Sequence, residues 1–97
     1  MGSLPSAGPG NPLPIYPPDA LAAGAEGRVV LRASIRADGT VESLTVEKSA
    51  GWKSLDDSAL ETVRTWRFIP ARRNDRPVSS VVLVPVRFRM LGGLSPP

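Results

Sequence analysis

The stretch RVVLRASIRADGTVESLTVEKS, Arg28 to Ser49, decides the fold. Val29, Leu31, Ala33 and Ile35 alternate with Arg32, Ser34 and Arg36, and a period of two marks a strand with one buried face. Asp38-Gly39 follows, a hairpin signal because glycine tolerates the positive φ that tight turns require. The chain then returns from Val41 to Ser49 as a second strand. Its apolar residues, Val41, Leu44 and Val46, break the period between 41 and 44, and a bulge there restores the register.

Downstream, Gly51 and Trp52 end the second strand, and Leu55, Ala59, Val63 and Trp66 recur at helical spacing. Ser54 or Asp56 is placed to cap this helix, and Phe68-Ile69-Pro70 ends it, since the residue before proline avoids the helical region. A charged turn covers Arg72 to Arg76. A third strand is expected from about Val78 to Met90, with Val82, Val84, Val86, Phe88 and Met90 on one face. Val81, Leu83, Pro85, Arg87 and Arg89 take the other. Upstream, Asp19 and Gly24 bracket Ala20-Leu21-Ala22-Ala23 as one or two helical turns.

The expected class is therefore α+β: a three-stranded antiparallel sheet, one main helix packed on one face, and a short N-terminal helix. The first and second strands pair through the Asp38-Gly39 turn, and a right-handed crossover brings the third beside the first, giving the order 2-1-3. Residues 1–13 are rich in proline and glycine and read as a flexible linker remnant, opening on what looks like a cloning scar, Met1-Gly2-Ser3. Residues 14–90 read as one domain and 91–97 as a flexible tail.

Composition narrows the chemistry. The 97 residues contain no cysteine and no histidine, so thiolate nucleophiles, imidazole bases and the commonest metal ligands are all missing. No cluster of Lys, Ser and carboxylates replaces them, and neither an enzyme, a cofactor nor a metal is expected. The formal charge is +3, but nine acidic residues are interspersed with the basic ones and five per cent of the chain is aromatic, which argues against nucleic acid. No run of roughly 18 apolar residues is present to span a membrane.

The order 2-1-3 leaves two edges, and soluble proteins usually blunt theirs. The second strand has its bulge with Glu42, Glu47 and Lys48, whereas the third is β-branched and uncharged from Val78 through Val86. Proline is tolerated on an edge, and Pro85, lacking an amide hydrogen, is expected to face away from the central strand. Val81, Leu83 and Arg87 then turn their main-chain groups outward with it, open to an added strand. Arg32, Arg36, Arg87 and Arg89 form a basic stripe on the uncovered face.

Pro14-Ile15-Tyr16-Pro17, Ala20-Leu21, Gly27-Arg28-Val29, Asp38-Gly39-Thr40-Val41, Ser58-Ala59-Leu60, Trp66-Arg67-Phe68-Ile69-Pro70-Ala71 and Pro77-Val78 together resemble the TonB C-terminal domain family over roughly residues 12 to 90. That resemblance implies a periplasmic domain of an energy transducer anchored in the bacterial inner membrane by an N-terminal helix absent here. Its partners would be the TonB box peptide of an outer-membrane receptor, added as a strand beside Val81, Leu83, Pro85, Arg87 and Arg89, and inner-membrane motor proteins reached through the absent N-terminal region. The family stretch before Tyr16-Pro17 often carries polar residues; here it is apolar, so Tyr16 and Pro17 alone carry over as receptor contacts. The same edge suits a homodimer or a peptide-binding scaffold without energy transduction. Trp66 and Phe68 are expected in the core, Trp52 is expected to pack, and Tyr16 suits either core closure or a flank of the incoming peptide.

Overall fold

A computed structural model of the chain describes residues 6–90. The expected scar at Met1–Ser3 and the expected tail at 91–97 lie outside the described residues. Nine elements follow in order: β1 (Ser6–Ala7), α1 (Pro18–Ala23), β2 (Gly27–Ile35), β3 (Val41–Lys48), α2 (Lys53–Val63), β4 (Phe68–Ile69), β5 (Ala71–Arg73), β6 (Arg76–Val78) and β7 (Ser80–Phe88). The main sheet is antiparallel with the order β3-β2-β7. It is the expected 2-1-3 arrangement, with β2 in the centre and the proline-containing β7 on an edge.

Alternation along β2 determines what is buried. Val29, Leu31, Ala33 and Ile35 have no exposed surface, and they meet Leu55, Ala59 and Val63 of α2, which recur every fourth residue along one helix face. Val84, Val86 and Phe88 of β7 complete the core from the flank. Arg32 on the opposite sheet face is exposed and Val30 and Ser34 are half-buried, so a single layer of helix covers one side only.

The hairpin tip is fixed from several directions. The Asp38 carboxylate accepts the Thr40 amide at 2.9 Å and the Thr40 hydroxyl at 2.6 Å, which holds its pKa below the usual carboxylate range. The Gly39 amide donates to the Arg36 carbonyl at 2.9 Å, and the Arg36 amide to the Thr40 carbonyl at 2.8 Å, closing a three-residue loop. Gly39 has φ +90°, and a Cβ there would stand 2.2 Å from the Phe68 carbonyl oxygen. Glycine is thus required twice, by conformation and by the approach of the Phe68 backbone.

Four local expectations are corrected. The helix stops at Val63, and Trp66 lies beyond it in a tightened turn whose amides reach Thr62 and Val63 carbonyls. Extending it would withdraw Phe68 from its main-chain bond to Gly39 and from the β1–β4 pair. Neither Ser54 nor Asp56 caps α2: Trp52 holds that position, and Asp56 instead accepts the Ala50 amide at 2.9 Å. Asp19 does not cap α1, where Pro17 is the N-cap; its carboxylate reaches across to Trp52 Nε1 (3.1 Å) and Ser54 Oγ (2.9 Å), tying the two helices together. The third strand begins at Ser80 because residues 76–78 fold back on 71–73. Asn74 and Asp75, at φ +52° and +64°, make that two-residue turn.

Candidate peptide-binding edge

The two edges of the sheet differ as their sequences do. The β2–β3 register slips between Ser34 and Ile35, leaving Glu42 as the extra residue, and again between Val30 and Leu31, leaving Glu47. The first is the bulge expected between 41 and 44; the second is new. Two bulges with charged residues twist and blunt this edge. By contrast β7 pairs with β2 over nine consecutive residues without a slip. Among the described residues its other flank has no strand beside it.

The direction of each main-chain group on β7 follows from one bond. The Arg36 amide donates toward β3, so even-numbered residues of β2 turn toward β3 and odd-numbered ones toward β7. Phe88, Val86, Val84, Val82 and Ser80 stand opposite Gly27, Val29, Leu31, Ala33 and Ile35, and they bond inward. Val81, Leu83, Pro85 and Arg87 then turn their amide and carbonyl groups to the open side. Pro85, opposite Val30, obeys this parity, since an inward position would need the N–H it lacks.

Side chains on the outward-bonding residues lie on the uncovered face. Val81 is 50% and Leu83 51% exposed, beside Ser34 and Arg32 respectively. Farther along, Arg87 stands directly opposite Arg28, and Arg89 follows the end of the strand. The edge is thus apolar at one end and cationic at the other.

Tyr16 and Pro17 lie at the end of β7 on the covered side. The Tyr16 ring meets Phe88 edge-on, with centroids 5.3 Å apart, and its hydroxyl donates to the Ala25 carbonyl. Desolvation, aided by the charge of Glu26, raises its pKa. Its hydroxyl is therefore already engaged within the domain. The Pro17 carbonyl accepts the Leu21 amide and starts α1. Just upstream, Leu13 and Ile15 are 57% and 78% exposed.

One organising residue escapes a reading based on periodicity. Asn11 donates to the Gly8 and Arg67 carbonyls at 3.1 and 3.0 Å, and its side-chain oxygen accepts the Arg67 amide at 2.9 Å. It occupies both main-chain groups of Arg67 as a neighbouring strand would. Next to it Trp66 Nε1 donates to the Pro12 carbonyl at 2.7 Å, while Ser6–Ala7 pair with Phe68–Ile69. The stretch from 6 to 12 therefore runs against the domain. The only local hint was an asparagine set among turn-forming glycines and prolines.

Among the described residues no group of three His, Cys, Asp or Glu side chains converges as metal ligands. Residues 12–90 match the family described as Gram-negative bacterial TonB protein C-terminal. The chain is 40% identical over 80 residues to the tonB2 protein of Pseudomonas aeruginosa, covering 82% of this chain and 30% of that one. It is 39% identical over 80 residues to the TonB protein of Xanthomonas campestris, covering 82% and 35%. It spans about a third of the length of the curated relatives it matches. The solution structure of the Pseudomonas aeruginosa TonB C-terminal domain superposes with a TM-score of 0.71 at 27% identity, covering 92% of this chain and 89% of that one. The Helicobacter pylori domain shares the fold at a TM-score of 0.61 and 24% identity, covering 80% and 82%.

Proposed function

We propose, from the premise that this chain belongs to the family of TonB C-terminal domains, that it grips an extended receptor peptide by strand addition to the outer flank of β7. The family is non-enzymatic, and the chain carries the C-terminal domain of a TonB-like energy transducer. The proposal extends that to a partner and a place. In it, the domain works in the periplasm, binds the TonB box of an outer-membrane receptor, and passes on work drawn from the inner-membrane proton gradient by motor proteins bound elsewhere on the full-length chain. No helix of the described residues is long and apolar enough to cross a membrane, so anchoring would be the task of other segments.

The flank of β7 that no described strand covers, with Pro85 turned outward, carries this reading. A peptide laid there gains main-chain bonds to the outward groups of residues 81, 83 and 87, while its side chains meet alternate sides of the sheet edge. Each bond nets about 0.5–1.5 kcal/mol. Five or six of them, less the cost of ordering, support roughly micromolar affinity. Pro85 accepts through its carbonyl but donates nothing, which sets a gap in the ladder and with it the register. Titrating isotope-labelled domain with a TonB-box peptide should shift the amides of Val81, Leu83 and Arg87 first. Shifts confined to β3 or α2 would overturn the assignment of the edge.

The exposure of Val81 and Leu83 on the same flank favours a second reading, in which two copies pair edge to edge. Light scattering across concentration separates the two, because a tight dimer that peptide does not dissociate would support pairing of copies instead.

A further inference from the structure

The uncovered face of the sheet has a charge distribution that its own fold does not neutralise. Arg28 stands directly across from Arg87, and like charges in that position destabilise a sheet. Arg32 lies four residues along β2, beside Leu83, and Arg89 two residues past Arg87, on the same face. Glu42 and Glu47 sit at the bulges on this face, out of register with the arginines, and neither lies within ion-pair distance of one. Among the described residues the one ion pair is Lys53–Asp57, on α2. A shallow hollow of about 280 Å³ opens where Arg28, Arg87 and Arg89 converge. Glu26 borders it, and its carboxylate takes the Met90 amide at 2.8 Å. Three guanidiniums against one carboxylate leave the hollow cationic.

We infer that this face is a second recognition element, which takes two carboxylates of the extended peptide bound along β7. The inference rests on the strand-addition reading. A strand added to β7 places every second side chain on the uncovered face, about 5 Å from its neighbour on β7. Beside Val81 and Leu83 those side chains are apolar. Beside Arg87 and Arg89 they are Asp or Glu, two residues apart. The peptide therefore carries an apolar pair and an acidic pair at alternate positions. The order of the two pairs reports the direction in which the strand runs.

The repulsion between Arg28 and Arg87 makes the claim testable in the free domain as well. An arginine pair kept for fold alone would not be weakened by its own placement. Arg87→Gln should raise the melting temperature of the free domain by about 1–4 °C while it weakens binding of the acidic peptide. A variant both less stable and weaker in binding would point to packing and overturn the inference.

The direct experiment uses the whole chain, isotope-labelled, and four peptides sharing one apolar pair. Two carry Glu-x-Glu, before or after that pair, and two carry Gln-x-Gln at the same places. At about 50 mM salt one acidic peptide should bind about 3- to 10-fold more tightly than its neutral counterpart, both shifting the amides of residues 81–87. The advantage should fall below about twofold at 0.5 M salt, as screened surface pairs do, and vanish in the Arg87→Gln/Arg89→Gln variant. Equal affinity of acidic and neutral peptides, both mapped to β7, would overturn this inference and leave strand addition standing. No shift on β7 with any peptide would overturn strand addition and this inference together. An oligonucleotide of equal charge that competes as well as the acidic peptide would make the face a general polyanion surface, also against the inference.

Discussion

Leu83→Pro and Val84→Pro change neighbouring residues of one strand, and the two flanks of β7 predict opposite consequences. Leu83 turns its amide outward, so proline there removes no bond to β2. The ring's φ near −65° is tolerated on an edge, as Pro85 already demonstrates. The leucine side chain is 51% exposed, so its replacement by another apolar side chain forfeits little burial. The stability cost should stay below about 1 kcal/mol, a fall in Tm of no more than about 4–8 °C for a domain of this size. Val84 instead faces Leu31 in an inward-bonding pair and is 7% exposed. Proline there orphans a buried carbonyl, at about 1–3 kcal/mol, and adds strain in the sheet, so unfolding should come at least about 10 °C earlier. For peptide affinity the variant that spares the fold is the damaging one. Leu83→Pro removes an outward donor worth about 0.5–1.5 kcal/mol and sets its ring carbons where the added strand must lie, so binding should fall at least about tenfold. Thermal unfolding by circular dichroism and peptide titration by fluorescence anisotropy measure both quantities. Equal destabilisation by the two prolines would refute the parity assigned to β7.

Three further outcomes follow from the geometry. Gly39→Ala forces a Cβ to 2.2 Å from the Phe68 carbonyl at φ +90°, and should cost at least about 2 kcal/mol in denaturant unfolding; a neutral effect would contradict the close packing of the hairpin tip. Asn11→Ala should speed amide exchange at Arg67 and Gly8 while Tm falls only slightly, because it frees a surface segment rather than the core; unchanged exchange would deny the clamp. Asp19, held low by Trp52 and Ser54, and Asp38, held low by Thr40, have folded pKa values below their unfolded ones. Their contribution is therefore present above about pH 4 and lost as pH falls through the lowered values, so Asp19→Asn should flatten the acid limb of a Tm-against-pH curve, and an unaltered limb would count against the helix-to-helix bridge.

What could be read from residues alone divides along physical lines. Alternation at 28–36 and 81–88 specifies which faces are buried, because a strand has only two, and Pro85 adds the flank because it lacks one hydrogen. The bulge at Glu42 was legible because Val41 and Leu44 are out of phase. The one at Glu47 was not, since no apolar residue follows Val46 in the strand to reveal the slip. Trp66 extended the helical period by coincidence: it packs on the same core from a turn, and its indole bonds Pro12 rather than continuing the stripe. Asn74-Asp75 is a reasonable tight-turn pair, but Arg72, Arg73 and Arg76 around it gave no alternation to mark the strands. Asn11 lay beyond any local reading. Its partner is 56 residues away, and a side chain that imitates a strand leaves no period.

Amide hydrogen exchange along β7 tests the outer flank most directly, in the free domain and with receptor peptide bound. Val82, Val84, Val86 and Phe88 should exchange slowly in both states, while Val81, Leu83 and Arg87 should exchange quickly when free and slow down when peptide is bound. Uniform protection of all seven amides in the free monomer, or protection on binding that appears along β3 instead, would contradict it.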